Sequence, residues 1–156
     1  MEVTIGIGLD NLVFGMTQDD IKTLLGEPNK ISDLELDFAI IYYYNEKMLK
    51  TKFDKDENLR LYSIEVFKPD VLMFDQKVIG QTKEQITSIL KNLGFSELEF
   101  EDYDTFDTVF SEKIWTTFCF EFDRLVSFEF SPLFEEDGET IIWPKRPCEK
   151  PRTAEG

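Results

Sequence analysis

The strongest constraint on this chain is that it states one short pattern twice. Arg60-Leu-Tyr-Ser-Ile-Glu-Val66 is matched by Arg124-Leu-Val-Ser-Phe-Glu-Phe130. Four of the seven positions are identical, and the other three are apolar or aromatic on both sides. Upstream of each stands a glycine with a threonine two residues on, Gly15-Met-Thr and Gly80-Gln-Thr. The glycines share the strand motifs' offset to within one residue, in the same order. A period this long implies a doubled domain rather than a solenoid of small repeats.

The stretch that opens at Gly15 reads as a short helix with its ends written in. Thr17 caps the first turn, and Asp20 stands where a capping box needs an acceptor reaching back. Asp19 and Asp20 place negative charge at the positive end of the helix dipole. Met16 and Ile21 occupy the staple positions, and Ile21, Leu24 and Leu25 form an apolar stripe. Gly26 suits the left-handed residue that ends a helix, and Pro28 prevents resumption. The echo runs from Gly80 to Gly94.

Alternation supplies the strands. Residues 3–7 suggest an opening strand, 8–15 a turn into the first helix, and 29–37 a loop. Strands follow over 38–44, 47–53 and 59–67, and 70–78 crosses to the second helix. Residues 105–110, 114–122 and 125–130 are the strands of the second half, with Glu121-Phe-Asp-Arg124 as a tight hairpin. Pairing the two motifs sets Tyr62, Ile64 and Val66 with Val126, Phe128 and Phe130 toward the helices. Leu61, Ser63 and Glu65, with Leu125, Ser127 and Glu129, then face away. Residues 141–143 should lie on the body. Beyond them Pro144, Pro147 and Pro151 oppose regular structure.

Charge and missing residue types limit the chemistry. Thirty-two acids against 17 bases give a net charge of −15. That repels phosphate backbones, so nucleic acid is not an expected partner, and it favours a basic protein. There is no histidine, which removes histidine triads, the HExxH zinc site and the commonest general base. Cys119 and Cys148 make no disulfide framework, and reduced thiols in a cytoplasmic protein are the expectation. The N-terminus lacks the basic and apolar regions of a signal peptide. No apolar run reaches membrane-spanning length.

The local constellations are weak as chemistry. Asp54-Lys-Asp-Glu-Asn58 with Glu65 matches several positions of a calcium loop, but Leu59 stands where the sharp turn needs glycine. A hairpin turn is the reading, and no metal or cofactor is expected. Gly6, Gly8 and Gly15 lack the spacing of a dinucleotide fingerprint. Cys119 lacks a histidine to activate it. Residues 97–112 are dense in acids with Phe100, Tyr103, Phe106 and Phe110 interleaved, either a solvated face or an acidic recognition surface. If helices cover one sheet face, the other is open, polar and partly aromatic. The candidate partner-binding residues are therefore Trp115, Glu121, Glu65 and Glu129, with Asp102 and Asp104, and Trp115 as the anchor.

The residues Gly15-Met-Thr, Ile21, Leu24-Leu-Gly26-Glu-Pro28, the echo at Gly80-Gln-Thr and the two Arg-Leu-x-Ser-x-Glu strands resemble the tandem-repeat fold of β-lactamase inhibitor protein. A related single unit occurs in small outer-membrane lipoproteins of the barrel-assembly machinery. The resemblance covers roughly residues 10–131. The tail around Ile141-Ile-Trp-Pro144 also resembles bacterial proteins grouped with toxin–immunity loci. Secretion and disulfides, features of the inhibitor, are not expected here, and no contact residue carries over. These observations predict an α+β fold of two tandem helix-plus-antiparallel-sheet repeats, with helices on one sheet face and the two sheets either abutting or running on into one larger sheet. The first repeat is 1–69, the second 70–134, and 135–156 is an extension. The predicted function is a non-enzymatic protein-binding module, an intracellular immunity or inhibitor protein that occludes a basic enzyme such as a nuclease toxin. The alternative is an enzyme or small-ligand protein using carboxylates in a cleft between the repeats.

Overall fold

Two capping boxes fix where the helices of the computed structural model begin. The Thr17 hydroxyl accepts from the Asp20 N–H at 3.2 Å, and the Asp20 carboxylate accepts from the Thr17 N–H at 3.0 Å. Thr82 and Gln85 repeat the exchange at 3.1 and 2.9 Å. The helices that follow are α1 (Gln18–Leu25) and α2 (Lys83–Asn92). Gly15 and Gly80 precede them at φ of 100° and 94°, a region that penalises any Cβ. Each glycine N–H donates to the leucine of the matching strand motif, Leu61 or Leu125, at 2.8 Å. The structure describes residues 1–145; Pro147, Cys148 and Pro151 lie outside them.

The rest of the described chain is dominated by strands. β1 (Val3–Thr4), β2 (Gly8–Leu9) and β3 (Leu12–Val13) form a small antiparallel sheet before α1. After α1 come β4 (Lys30–Ser32), β5 (Ala39–Tyr44), β6 (Leu49–Asp54) and β7 (Arg60–Val66). The hairpin of β8 (Leu72–Met73) and β9 (Gln76–Lys77) leads to α2. The last run is β10 (Glu99–Asp102), β11 (Asp107–Ser111), β12 (Thr116–Glu121) and β13 (Arg124–Phe130). One eight-stranded antiparallel sheet takes both runs, in the order β10-β11-β12-β13-β7-β6-β5-β4.

This corrects the expected fold class. The protein is mostly β, with 40% of the described residues in strands and 14% in helix, and is not two tandem helix-plus-sheet repeats. Two causes explain the difference. β13 pairs directly with β7, so both runs share one hydrogen-bond ladder. The expected opening strand over 3–7 shortens to β1, and β2, β3, β4, β8, β9 and β10 fall where no strand is expected, because strands this short carry little alternation. The Asp54–Asn58 stretch joins β6 to β7 through a short 3-10 turn, with Asn58 and Leu59 both at φ of 57°.

The core lies between one face of the large sheet and the helices with the small hairpins. Phe53, Phe118, Phe120, Phe128 and Phe130 from the sheet meet Phe14, Ile21, Ile86 and Leu90, all essentially inaccessible to solvent. Each large apolar side chain buried in this way contributes about 1.5–3 kcal/mol. Strict alternation fails at two points. Register shifts between Lys52 and Phe53 and between Cys119 and Phe120 leave Tyr62 and Val126 as extra residues. Leu61 and Leu125 consequently turn into the core instead of facing away, while Tyr62 and Val126 are half-buried.

Candidate functional site

The face opposite the helices carries one continuous cross-strand row, read from the register. It runs Glu99, Phe110, Thr117, Glu129 and Glu65, then Lys50, Tyr43 and Lys30. Its acids lie toward β10 and its lysines toward β4. Lys30 and Lys50 each stand 5.1 Å from the centre of the Tyr43 ring.

At the centre of the row the charges are mutually engaged. Lys52 reaches Glu129 at 2.9 Å and Glu65 at 3.9 Å, and Lys50 reaches Glu65 at 3.9 Å. The Ser63 hydroxyl donates to the same Glu129 carboxylate. Burial, with the Glu129 charge opposite, raises the Glu65 pKa against the pull of Lys52 and Lys50. Burial by itself would lower the Lys52 pKa, but Glu129 and Glu65 outweigh it and raise it. Glu65 and Glu129 therefore hold the junction of β7 and β13 together, and little of their charge is left for a partner.

The end of the sheet built by β10 and two hairpin turns differs. All four residues of β10 are exposed. The β10–β11 turn stacks Tyr103 on Phe106 with ring centres 4.6 Å apart, and Asp104 lies between them in sequence. The Tyr103 hydroxyl donates to Glu101 at 2.8 Å, which raises the tyrosine pKa. The β12–β13 turn pairs Glu121 with Arg124 and holds Phe122 and Asp123 at φ of 50° and 61°. Phe122 is 97% exposed. A groove of about 590 Å³ separates the two turns, with Asp102, Asp104, Glu121 and Asp123 among its walls. Two cations of this region are engaged: Lys83 lies against Asp107, itself a wall of the groove, and Arg124 donates to the Gly80 carbonyl.

The six residues singled out from the sequence thus separate into three places. Asp102, Asp104 and Glu121 come together around the groove. Glu65 and Glu129 sit in the lysine network at mid-sheet. Trp115 lies at the opposite end of β12 from Glu121, in the β11–β12 turn at φ of 46°. There it is half-buried between Phe110 and Phe134, with ring centres 5.3 and 4.8 Å away. Phe122 was not singled out, because an aromatic in a two-residue turn reads as an ordinary strand end. The available signal was a tight hairpin without the Asn-Gly that such turns prefer. Among the described residues no group of three or more histidine, cysteine, aspartate or glutamate side chains is arranged to hold a metal. No helix there is long and apolar enough to cross a membrane.

Fold and surface together define a mostly-β body with one sheet face covered and one open. Among solved structures it is similar to an extracellular protein containing a SCP domain from Bacillus anthracis str. Ames, at 12% identity and a TM-score of 0.50. That match covers 85% of this chain and 48% of the other, so the chain spans about half the length of that protein. It is also similar to a DUF4309 family protein (YjgB) from Bacillus subtilis subsp. subtilis str. 168, at 15% identity and a TM-score of 0.46 over 74% of this chain and 78% of that one. The first likeness concerns the fold alone. No family model matches the sequence, and no curated protein does.

Proposed function

We propose that this protein is a non-enzymatic binding module that engages a basic protein through the acidic and aromatic end of its sheet. The concrete form proposed is an inhibitor or immunity-type protein that occludes a cationic enzyme. The single observation that carries the reading is Phe122. A bulky ring held in the left-handed region costs stability, and at 97% exposure it recovers almost none through burial. A partner that covers the ring accounts for both costs. The surrounding carboxylates and the net charge of −15 give that partner its sign.

The alternative, carboxylate chemistry between the two strand runs, has less to work with. The two runs meet in direct strand pairing, and Glu65 and Glu129 at that junction are tied to Lys50, Lys52 and Ser63. Comparative capture from the native host tests the proposal, using wild type, Phe122→Ser and Glu121→Lys as baits. A basic protein held by wild type, released by raised ionic strength and lost from both variants supports it. The same proteins on all three baits would overturn it.

A further inference from the structure

Among the described residues, β10 has a neighbouring strand on one side only. The Tyr103 N–H donates to the Phe106 carbonyl at 2.8 Å, which sets the alternation of the ladder. Glu99 and Glu101 then point their backbone groups at β11, and Phe100 and Asp102 point theirs outward. Side chains alternate the other way, between the faces. Glu99 and Glu101 stand on the open face, opposite Phe110 and Thr108. Phe100 and Asp102 stand on the helix face, opposite Val109 and Asp107, with Phe100 57% exposed. An exposed edge of this kind is a template for another strand. Its charge selects which one. A second copy of β10 would set glutamate against glutamate, whereas a basic strand would set opposite charges across the new ladder.

We infer that β10 is a docking edge for an extended basic segment of the partner, which adds a ninth strand to the sheet. Backbone hydrogen bonds to Phe100 and Asp102 supply the pairing. Lysines or arginines at alternate positions lie over Glu99 and Glu101, and apolar residues between them cover Phe100. This is the recognition mode of strand addition, in which the backbone gives affinity and alternate side chains give specificity. The inference deepens the proposed function and rests on it, since it names how that partner binds. The two can fail separately.

The probe is a synthetic peptide of alternating lysine and valine, with a second version N-methylated at every other amide, so that charge is kept and pairing on one edge is lost. Asp102→Pro, read against Asp102→Asn as the control for the lost carboxylate, is the matching change in the protein, because a proline whose N–H would face outward leaves the existing ladder whole. The inference predicts that the parent peptide slows amide exchange at Phe100 and Asp102 at least about tenfold. N-methylation and Asp102→Pro should each weaken binding at least about tenfold, a loss of about 1.4 kcal/mol, with the melting temperature of the variant unchanged. Full binding by the methylated peptide and by Asp102→Pro, with loss only on Glu101→Lys, would overturn strand addition and leave cationic recognition standing. Absence of any binding by the parent peptide at low salt would also overturn strand addition. So would a wild-type homodimer in sedimentation that Asp102→Pro dissociates.

Discussion

Replacing Phe122 by asparagine should stabilise the fold while abolishing partner binding. Phe122 and Asp123 form a two-residue turn with φ of 50° and 61°. A non-glycine residue in the left-handed region costs roughly 1–2 kcal/mol, and asparagine pays least of the side-chain-bearing residues. The ring is 97% exposed, so its removal forfeits little burial. The expected gain is about 1 kcal/mol, which in a domain of this size raises the melting temperature by about 2–4 °C. Phe122→Gly should gain less, because glycine also loosens the unfolded chain. Urea unfolding followed by circular dichroism, with thermal melts beside it, reads the effect. Destabilisation by Phe122→Asn of more than about 0.5 kcal/mol would show that the ring serves the fold, and the argument from its exposure would fail. A stabilised protein that still binds its partner at full affinity would refute the functional half.

Three further outcomes follow from the sheet. Lys52→Met leaves Glu65 facing Glu129 across β7 and β13 without the bridging cation. It should cost about 2 kcal/mol at neutral pH, below the 3–5 kcal/mol of a fully buried pair because these side chains keep some solvent contact. The sign of its pH dependence is set by Glu65: a carboxyl held above its usual pKa by burial and the Glu129 charge favours the folded state when protonated, so the deficit should shrink as pH falls through the carboxylate range, checked by urea midpoints at neutral and acidic pH. Ile64→Ala and Phe128→Ala should each cost about 2–5 kcal/mol, since both side chains are closed off on the core face; costs below about 1 kcal/mol would mean the strand faces are assigned wrongly. Trp115→Ala should destabilise by about 2 kcal/mol through loss of its packing on Phe110 and Phe134, yet leave partner affinity unchanged; calorimetric binding beside a melt separates the two effects.

The parts of the fold legible in the sequence are those where a local rule suffices. Thr17 with Asp20 and Thr82 with Gln85 announce helix starts because capping depends on neighbours three residues apart. β7 and β13 announce themselves because a seven-residue pattern rich in apolar and aromatic residues recurs, although a bulge breaks its alternation in both. What stayed hidden depends on distant partners. Glu99-Phe-Glu-Asp102 carries three acids and reads as a solvated or recognition face with no strand assigned; only β11 beside it makes it a strand. The bulges at Tyr62 and Val126 shift Leu61 and Leu125 by one face, and no residue type marks them. That the two sheets abut or run on into one is an expectation of the doubling, but the β7–β13 pairing that joins them is not encoded by sequence spacing. Within the candidate site, Asp102, Asp104 and Glu121 were legible as acids in an aromatic setting. Glu65 and Glu129 were legible as acids but not as members of an ion-pair network, because their lysine partners belong to another strand. Phe122 escaped notice because its backbone angle, rather than its identity, sets it apart.

The association rate of the captured partner, measured by stopped flow across a range of ionic strength, tests the central claim most directly. Wild type should associate fast at low salt and slow steeply as the Debye length shortens toward about 8 Å at physiological ionic strength. Glu121→Lys should lower the low-salt rate and flatten that dependence, and Phe122→Asn should instead speed dissociation. A rate that does not change with salt, and a complex indifferent to both substitutions, would contradict the assignment of this end of the sheet as the binding surface.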